Sequence, residues 1–544
     1  MKKSIVFCTT IISLVFSIVG FTIETFAQST FQKTYGGNAA DVAYAFQQLT
    51  DGGYIIAGYT ESFGAGNRDV YLVRTDSEGT VLWTKTYGNT NTDYAWTIDQ
   101  TTDGGFIIGA HTDSFGAGGH DIYIIKTDSE GTVLWTKVFG GTSADGAYSL
   151  QQTFDDGFII AAHTSSFGEG QHEVYLLKTD PNGNILWTKS YGNTGGDFLR
   201  AIDQTPDQGY IMVAETYSFG AGGSDIYVIR TDAQGDTLWT KTFGGAGDDF
   251  GYSIRLTNDQ AYIIAGHTRS FGQGQLDMLL MKIDDQGNLL WAKTYGGLDE
   301  EYGYSVEPTD DGGYIVSGST KSFAKGGFCD ILCDDVYLIK TDANGDTLWT
   351  KTYGSLAYEV GWSVRTTSDG GYAVVGISTG FGAGGEDFYL IKTDENGNLG
   401  CQENGTSTVV GSPNIIVNST TTIVNSGVIE NSSSTLTSNP ATLENTVCFT
   451  TGFNKINNFQ KFHVYPNPAK HEFYMEIDLK EPQSISFNMY NQMGSPVLKI
   501  PLQSYSGEKN KITIDTNQFP NGIYLLKWTI AQNHYVQTII IIKP

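Results

Sequence analysis

The stretch that decides the fold is residues 121–140, DIYIIKTDSEGTVLWTKVFG, in which two alternating apolar runs flank a turn at residues 128–131. A tryptophan lies in the second run, and equivalent tryptophans recur every 52 residues; they are Trp83, Trp135, Trp187, Trp239 and Trp291. Trp349 follows after 58 residues, because six residues are inserted around Cys329 and Cys333. A fixed period near 50 residues is typical of stacked or circular repeat folds.

Each repeat contains four strand-like runs separated by Gly-rich or Asp-containing turns. In the second repeat these runs are Asp93–Gln100, Gly105–Thr112, Asp121–Thr127 and Thr132–Lys137. Their alternation has the period of a strand, and none has the period of a helix. Four short antiparallel strands make one propeller blade. The sequence therefore predicts an all-β fold in which residues 28–400 form a seven-bladed β-propeller.

The ends of the repeat region indicate how the ring closes. Phe31 stands 52 residues before Trp83, and Cys401 stands 52 residues after Trp349, so the repeat is interrupted within its fourth strand. We expect the strand at Phe31 to be the outermost strand of the last blade, whose other three strands come from residues 359–393. This arrangement closes the ring and protects the sheet edges. The alternative is an open solenoid, which needs atypical capping repeats that the sequence lacks.

Charge excludes one class of partner. The chain has 544 residues, and its 32 basic and 59 acidic side chains give a net charge of −27. A nucleic-acid partner is not expected for so acidic a chain.

Charged residues recur at equivalent positions of the repeats. An acid stands ten residues after each marker aromatic, and we name these seven the first acidic ring: Asp41, Asp93, Asp145, Asp197, Asp249, Glu301 and Glu359. The second acidic ring comprises Asp69, Asp121, Glu173, Asp225, Asp277, Asp335 and Asp387. The basic ring lies five residues further on, at Arg74, Lys126, Lys178, Arg230, Lys282, Lys340 and Lys392.

Two interpretations of the acidic rings stay open. Acids at strand starts can accept backbone N–H bonds and pair with a Lys or Arg of a neighbouring blade, which is a structural role. The alternative is a carboxylate collar in which the first acidic ring binds a hard cation such as calcium. We predict no cofactor, and calcium is the cation that such a collar would bind.

The positions thirteen residues after each marker form a largely aromatic set that we name the channel ring. Its members are Tyr44, Trp96, Tyr148, Arg200, Tyr252, Tyr304 and Trp362. Blade four is exceptional twice, because Arg200 is the one non-aromatic member of the channel ring and Glu215 also differs from its equivalents. Those equivalents in the other repeats are Tyr59, His111, His163, His267, Ser319 and Ile377. The ring either packs between blades or offers a stacking surface for a sugar or peptide. Arg200 and Glu215 would form an ion pair if their strands are adjacent. Zinc binding by the three histidines is not favoured, since equivalent positions on different blades are far apart unless they face the channel.

The N-terminus resembles a secretory signal. Lys2 and Lys3 precede an apolar run, and Ala27 completes a small-residue cleavage site, so residues 1–27 are predicted to be removed. No later stretch has the roughly 20 apolar residues of a membrane-spanning helix. The mature chain is therefore predicted to lack a transmembrane segment.

Four cysteines remain after Cys8 is removed with the signal. An even number in an exported chain suggests two disulfides, Cys329 with Cys333 and Cys401 with Cys448. Free or partly paired thiols are the alternative.

The last 80 or so residues resemble the type IX secretion sorting domain of Bacteroidota. The resemblance rests on Tyr465-Pro466-Asn467-Pro468 and on the NGIYLLK element that contains Gly522 and Tyr524. It implies passage across the outer membrane by the type IX secretion machinery, followed by release or attachment at the surface. The alternating strands of residues 461–544 favour a small Ig-like sandwich. The alternative to a sorting domain is a generic adhesion module with the same architecture. Residues 401–460 are rich in Ser, Thr and Asn and are predicted to be a linker with local β structure.

The repeats resemble Gly-rich propeller repeats of exported Bacteroidota proteins and, through the core Lys-Thr-Asp-x-x-Gly-x-x-Leu-Trp, quinoprotein blades. Propellers host enzymes, lectins and scaffolds alike, so this resemblance supports the fold more than an activity. Near-identical repeats favour a secreted or surface module that binds a glycan or protein without catalysis. The alternatives are a carbohydrate-active hydrolase or lyase that uses channel carboxylates and, more distantly, a quinone-dependent oxidoreductase.

Overall fold

A computed structural model describes residues 29–325, 333–399, 403–413, 415–419, 423–425, 429–431, 436–438, 443–451, 459–465, 469–479, 483–490, 496–505, 509–530 and 533–541. The predicted signal segment lies outside these residues. Every regular element in the described part is a β-strand. No helix there is long and apolar enough to span a membrane.

Residues 29–393 form repeated four-stranded antiparallel blades, as predicted. The first strands of the repeats are β2 (Asp41–Gln48), β6 (Asp93–Gln100), β10 (Asp145–Gln152), β14 (Asp197–Gln204), β18 (Asp249–Leu256), β22 (Glu301–Pro308) and β26 (Glu359–Thr366). The second strands are β3 (Tyr54–Thr60), β7 (Phe106–Thr112), β11 (Phe158–Thr164), β15 (Tyr210–Thr216), β19 (Tyr262–Thr268), β23 (Tyr314–Thr320) and β27 (Tyr372–Ser378).

The third and fourth strands complete each blade. The third strands are β4 (Asp69–Thr75), β8 (Asp121–Thr127), β12 (Glu173–Thr179), β16 (Asp225–Thr231), β20 (Asp277–Ile283), β24 (Asp335–Thr341) and β28 (Asp387–Thr393). The fourth strands are β5 (Val81–Gly88), β9 (Val133–Gly140), β13 (Ile185–Gly192), β17 (Thr237–Gly244), β21 (Leu289–Gly296), β25 (Thr347–Tyr353) and, from the N-terminus, β1 (Ser29–Gly36). Strand β1 pairs with β28, with Phe31 opposite Lys392, as the interrupted repeat predicts.

Every blade gains a fifth strand from residues 403–451, a segment that we name the belt. Its strands are β29 (Glu403–Gly405), β30 (Val409–Gly411), β31 (Ile416–Ser419), β32 (Ile423–Asn425), β33 (Ile429–Asn431), β34 (Leu436–Ser438) and β35 (Leu443–Thr451). They pair in turn with β25, β21, β17, β13, β9, β5 and β1. Successive belt strands therefore join the fourth strands in the reverse of their order along the chain. The belt lies within residues 401–460, for which the sequence predicts a linker with local β structure, but the sequence does not predict that each strand joins a repeat sheet.

The tryptophan of each fourth strand packs on the turn of the following repeat. Gly131 has φ +73°, and a Cβ atom there would lie 3.0 Å from Cη2 of Trp83. The Tyr87 hydroxyl donates a hydrogen bond of 2.7 Å to the Gly131 carbonyl. The turn itself is held by Asp128, whose side chain accepts the N–H groups of residues 130 and 132. The predicted interpretation of these Asp and Gly residues as turn residues is therefore confirmed.

The C-terminal region forms two antiparallel sheets. One contains β36 (Phe459–Tyr465), β37 (Glu472–Leu479) and β40 (Lys509–Asp515). The other contains β38 (Gln483–Tyr490), β39 (Pro496–Tyr505), β41 (Gly522–Ile530) and β42 (Asn533–Ile541). Buried side chains of both sheets, including Phe473 and Phe487, share one hydrophobic cluster.

The cysteine pairings stay predictions. Cys333 is 7% exposed, whereas Cys329 and Cys401 and the side chain of Cys448 lie outside the described residues. Pro466, Asn467 and Pro468 of the sorting motif also lie outside them, while Tyr524 is buried and donates a hydrogen bond of 2.8 Å to the Pro520 carbonyl.

Candidate functional site: a ring of side chains around one cavity

All seven residues of the channel ring line a single cavity of about 220 Å³. Each belongs to the first strand of a different blade. At each of these positions the register with the second strand shifts by one residue, as between Leu199 and Ala201 around Arg200. A β-bulge of this kind leaves one residue outside the ladder and redirects its side chain. The bulges therefore explain why the seven side chains meet.

Neighbouring members of the channel ring contact one another around its circumference. The ring centroids of Tyr44 and Trp96 are 4.0 Å apart and stacked, and those of Tyr304 and Trp362 are 4.3 Å apart. The Arg200 guanidinium lies 4.9 Å from the ring centroid of Tyr252. Tyr44 and Trp362, from the first and last repeats, are 5.7 Å apart.

Arg200 and Glu215 form the ion pair that the sequence suggested. Strands β14 and β15 are adjacent, and Nη2 of Arg200 lies 3.0 Å from Oε2 of Glu215. The side chains are 22% and 8% exposed, so the pair is largely removed from water. Such a pair is costly to break from one side, because the remaining charge stays buried.

The second strands supply a tier of side chains next to the channel ring. We name this the second tier, and it comprises Tyr59, His111, His163, Glu215, His267, Ser319 and Ile377. The rings of His111 and His163 are 6.1 Å apart, closer than the sequence argument for well-separated histidines implied, because both face the channel. Burial lowers the pKa of His163 and of His267 to about 3, so both are neutral at physiological pH.

Residues that differ between repeats gather at one end of this channel, which we call the mouth. They directly precede the second acidic ring and are Arg68, His120, His172, Ser224, Leu276, Asp334 and Glu386. Arg68 lies 4.4 Å from the ring centroid of Tyr59, and Ser319 donates a 3.0 Å hydrogen bond to Asp334. Sequence reasoning missed this set, although variation at one position of an otherwise regular repeat was visible.

Two carboxylates at the mouth have pKa values displaced in opposite directions. Burial raises the pKa of Asp334. Burial would also raise the pKa of Glu300, but hydrogen bonds from Lys321 and Tyr302 outweigh it, and the pKa of Glu300 is lowered.

The first and second acidic rings hold backbone in place at each junction between blades. Asp41 accepts the Gly37 N–H at 2.7 Å and the Ser62 hydroxyl at 2.8 Å. Asp69 accepts the N–H groups of Ala65 and Gly66 at 3.0 and 2.8 Å. These bonds match the predicted structural role.

The predicted pairing of the acidic rings with a neighbouring blade's Lys or Arg is wrong. Each member of the basic ring instead pairs with an acid between the first and second strands of its own blade. Lys126, for example, lies 2.9 Å from Oδ2 of Asp103. That turn acid is closer because the third strand runs directly beside the second.

The described residues contain no group of three or more His, Cys, Asp or Glu side chains arranged to hold a metal ion. The calcium collar formed by the first acidic ring stays an untested prediction.

Residues 463–542 match the family described as the secretion system C-terminal sorting domain. The protein is therefore a type IX secretion cargo that is exported to the cell surface or secreted.

The chain is also distantly similar to two curated proteins. The chain is 27% identical over 216 residues to the regulatory protein FlaEY of Caulobacter vibrioides, covering 34% of this chain and 23% of FlaEY. It is 24% identical over 212 residues to an uncharacterized WD repeat-containing protein, L264, of Acanthamoeba polyphaga mimivirus, covering 37% of this chain and 14% of L264. The chain thus spans less than a quarter of the length of these relatives.

Two solved structures are also similar to this chain. PorZ of Porphyromonas gingivalis, described as an essential bacterial surface component of the type IX secretion system, matches at TM-score 0.33 and 9% identity, over 93% of this chain and 75% of PorZ. A protein of unknown function from Dyadobacter fermentans matches at TM-score 0.35 and 12% identity, over 55% of this chain and 93% of that one. TM-scores this low do not support a functional assignment.

Proposed function

We propose that the repeats close into a seven-bladed β-propeller. The support is that one kind of contact recurs at every junction between repeats: an aromatic side chain of a fourth strand packs on the glycine of the next turn. At the junction between the last and first repeats, Phe31 takes the place of the tryptophan, and the Tyr35 hydroxyl donates a 2.6 Å hydrogen bond to the Gly79 carbonyl. The Asp41 N–H also donates to the Glu386 carbonyl at 2.6 Å.

We further propose that this exported propeller is a non-catalytic binding module for a glycan or protein. The observation that carries the proposal is that seven bulged side chains, one from each blade, line one cavity. A concave site with flat aromatic faces and a few polar groups suits ligand recognition. The acidic rings, in contrast, are buried at the junctions between repeats, where they accept backbone hydrogen bonds.

A carbohydrate-active hydrolase or lyase is the second candidate. It is favoured by one observation, the opposite displacement of the pKa values of Asp334 and Glu300 at the mouth. Pairs of carboxylates separated in this way supply the acid and the base of hydrolytic enzymes.

Affinity electrophoresis tests both candidates. The full chain is run through gels that contain a panel of polysaccharides, with calcium or with a chelator, and reducing-end product is assayed alongside. Retardation without product supports the binding module, and Tyr304→Ala should abolish it. Product formation that Glu300→Gln removes would establish the hydrolase instead, and loss of retardation with chelator would assign calcium a role.

A further inference from the structure

The channel ring combines flat aromatic faces with hydrogen-bond donors that have no acceptor. Among the described residues, no group accepts from the buried Nε1 atoms of Trp96 and Trp362 or from the buried Nε atom of Arg200. A buried donor without a partner is unfavourable, because its hydrogen bond to water is lost and not replaced. All three atoms are N–H donors, so an oxygen acceptor is the group that would satisfy them.

The charged side chains of the channel ring and the second tier compensate one another. The Arg200 guanidinium is compensated by the Glu215 carboxylate at 3.0 Å, and His163 and His267 are neutral because burial lowers their pKa values to about 3. A cationic ligand would meet Arg200, and an anionic one would meet Glu215 and the field of a chain with net charge −27. A buried charge without a partner is strongly disfavoured.

The size of the cavity limits how much of a ligand enters. Its volume of about 220 Å³ is below the roughly 300–1,000 Å³ typical of sites for drug-sized ligands. A cavity of this size suits one ring-sized unit, and any remaining part of the ligand must extend beyond the channel ring.

We propose that the channel ring binds an uncharged sugar unit, with the C–H face of the sugar against the aromatic side chains and its oxygens accepting from Trp96, Trp362 and Arg200. The inference rests on the proposed binding function and narrows it to one class of ligand. A pyranose has both features that the ring requires, since its ring presents an apolar face and its hydroxyl and ring oxygens are acceptors.

Calorimetric titration of the full chain tests the ligand class. The neutral probes are cellohexaose, maltohexaose and mannohexaose, and the charged probes are hexagalacturonate and fully deacetylated chitohexaose. At least one neutral hexasaccharide should bind, and both charged ones should bind at least tenfold more weakly at low ionic strength. The corresponding monosaccharide should bind the same site, which separates recognition of one unit from recognition of an extended chain.

Three variants, each checked for native near-UV circular dichroism, locate the interaction. Trp96→Phe keeps a flat ring but removes one donor, and affinity should fall about three- to tenfold, the usual effect of one neutral hydrogen bond. Trp83→Phe is the matched control on an outer strand and should leave affinity unchanged. The double variant Arg200→Gln/Glu215→Gln removes both charges together with the Nε donor of Arg200, so affinity for the neutral sugar should fall about as much as in Trp96→Phe and no further.

Two results would overturn the inference. Tighter binding of a charged hexasaccharide that the ring variants weaken would show that the site prefers charge, while leaving the binding function intact. Absence of binding by every neutral probe also overturns it. The binding function itself fails only if, in addition, the polysaccharide gels and a soluble peptide library reveal no ligand whose retention depends on Tyr304.

Discussion

At the residue scale, the channel ring depends on one backbone irregularity repeated in every blade. The bulge at Arg200 and at its six equivalents turns a residue that would pair in a ladder into one that lines the cavity. In blade four the bulged residue is Arg200, and its charge is compensated by Glu215 on the adjacent strand.

Removing one member of this pair should destabilise the protein more than removing both. Arg200→Ala leaves the Glu215 carboxylate buried and unpaired, and we expect the free energy of unfolding to fall by about 3–5 kcal/mol. Arg200→Ala/Glu215→Ala should recover part of that loss. Urea denaturation monitored by fluorescence gives the values, and a double variant that is no more stable than Arg200→Ala would contradict this expectation.

The buried carboxylates give the stability an unusual dependence on pH. Burial raises the pKa of Asp121, Asp277 and Asp387 to about 6 and that of Asp335 to about 7. At these carboxyl groups the folded state binds protons more tightly than the unfolded chain, so stability should rise as pH falls from about 8 to about 6.5. Below that pH the buried His163 and His267 oppose the gain, because their lowered pKa values make protonation favour the unfolded chain.

Below about pH 4 the trend should reverse. Burial would raise the pKa of Asp103, but hydrogen bonds from Thr101 and Lys126 outweigh it and lower this pKa to about 2. The stability that such ion pairs contribute is present above the unfolded pKa and is lost as pH falls through the folded one. Thermal melts from pH 3 to 8 measure how the melting temperature depends on pH in both ranges. Asp335→Asn should weaken that dependence in the higher pH range. A melting temperature that falls steadily from about pH 8 to about 6.5 would contradict this account.

At the element scale, the contact between a fourth-strand aromatic and the next turn explains why the Trp and Gly of the repeat occur together. Gly131 and Gly104 both have positive φ, +73° and +84°, but only Gly131 lies under a tryptophan, since a Cβ atom at Gly104 would meet nothing within 4 Å.

These two glycines provide a matched pair of substitutions. Gly104→Ala should cost only the backbone strain of a left-handed residue, about 1–2 kcal/mol. Gly131→Ala should cost more, because the methyl group also displaces Trp83 and Tyr87 from the junction. Chemical denaturation compares them, and equal losses would mean that the junction tolerates the methyl group.

The belt should be necessary for a stable and soluble propeller. A chain that ends at residue 402 exposes the edges of seven fourth strands, whereas one that ends at residue 458 keeps the belt and lacks only the sorting domain. We expect the shorter chain to melt at least about 5 °C lower, because each kcal/mol of stability lost lowers the melting temperature by about 2–4 °C, or somewhat less in a larger domain. We also expect it to aggregate through its open strand edges. Calorimetry and light scattering measure both effects, and identical behaviour of the two chains would refute the role of the belt.

Much of this architecture was predictable because the repeat is strict. The four strands of each blade and the joining of the Phe31 strand to the last blade follow from the 52-residue period and from where it is interrupted. The belt was not predictable, since its strands are three or four residues long in six of seven cases and pair with partners far away in the chain. The sequence identifies the members of the channel ring as equivalent positions of the repeats. It does not predict the bulges that bring them together, because one extra residue in a strand is not visible in that strand's hydrophobic alternation.

At the scale of the whole molecule, every functional proposal depends on the ring being closed. The proposed closed ring accounts for two observations, the 5.7 Å between Tyr44 of the first repeat and Trp362 of the last and the cavity lined by seven side chains. An open arrangement would leave these residues on a curved surface without a common centre.

Disulfide cross-linking measures closure most directly. A Cβ atom at Gly119 would lie 3.7 Å from Cβ of Ala144 at an internal junction, and one at Gly385 lies 3.6 Å from the backbone of Ala40 at the junction between the last and first repeats. The Cβ separation at the internal junction suits a disulfide. Gly385 and Ala40 hold the same repeat positions as Gly119 and Ala144, two residues and one residue ahead of the acidic rings, so the same geometry is expected there. We predict that Gly385→Cys/Ala40→Cys oxidises as completely as the internal control Gly119→Cys/Ala144→Cys, with the linked peptides identified by mass spectrometry. Efficient cross-linking of the internal pair alone would show that the ring is open and would contradict the account.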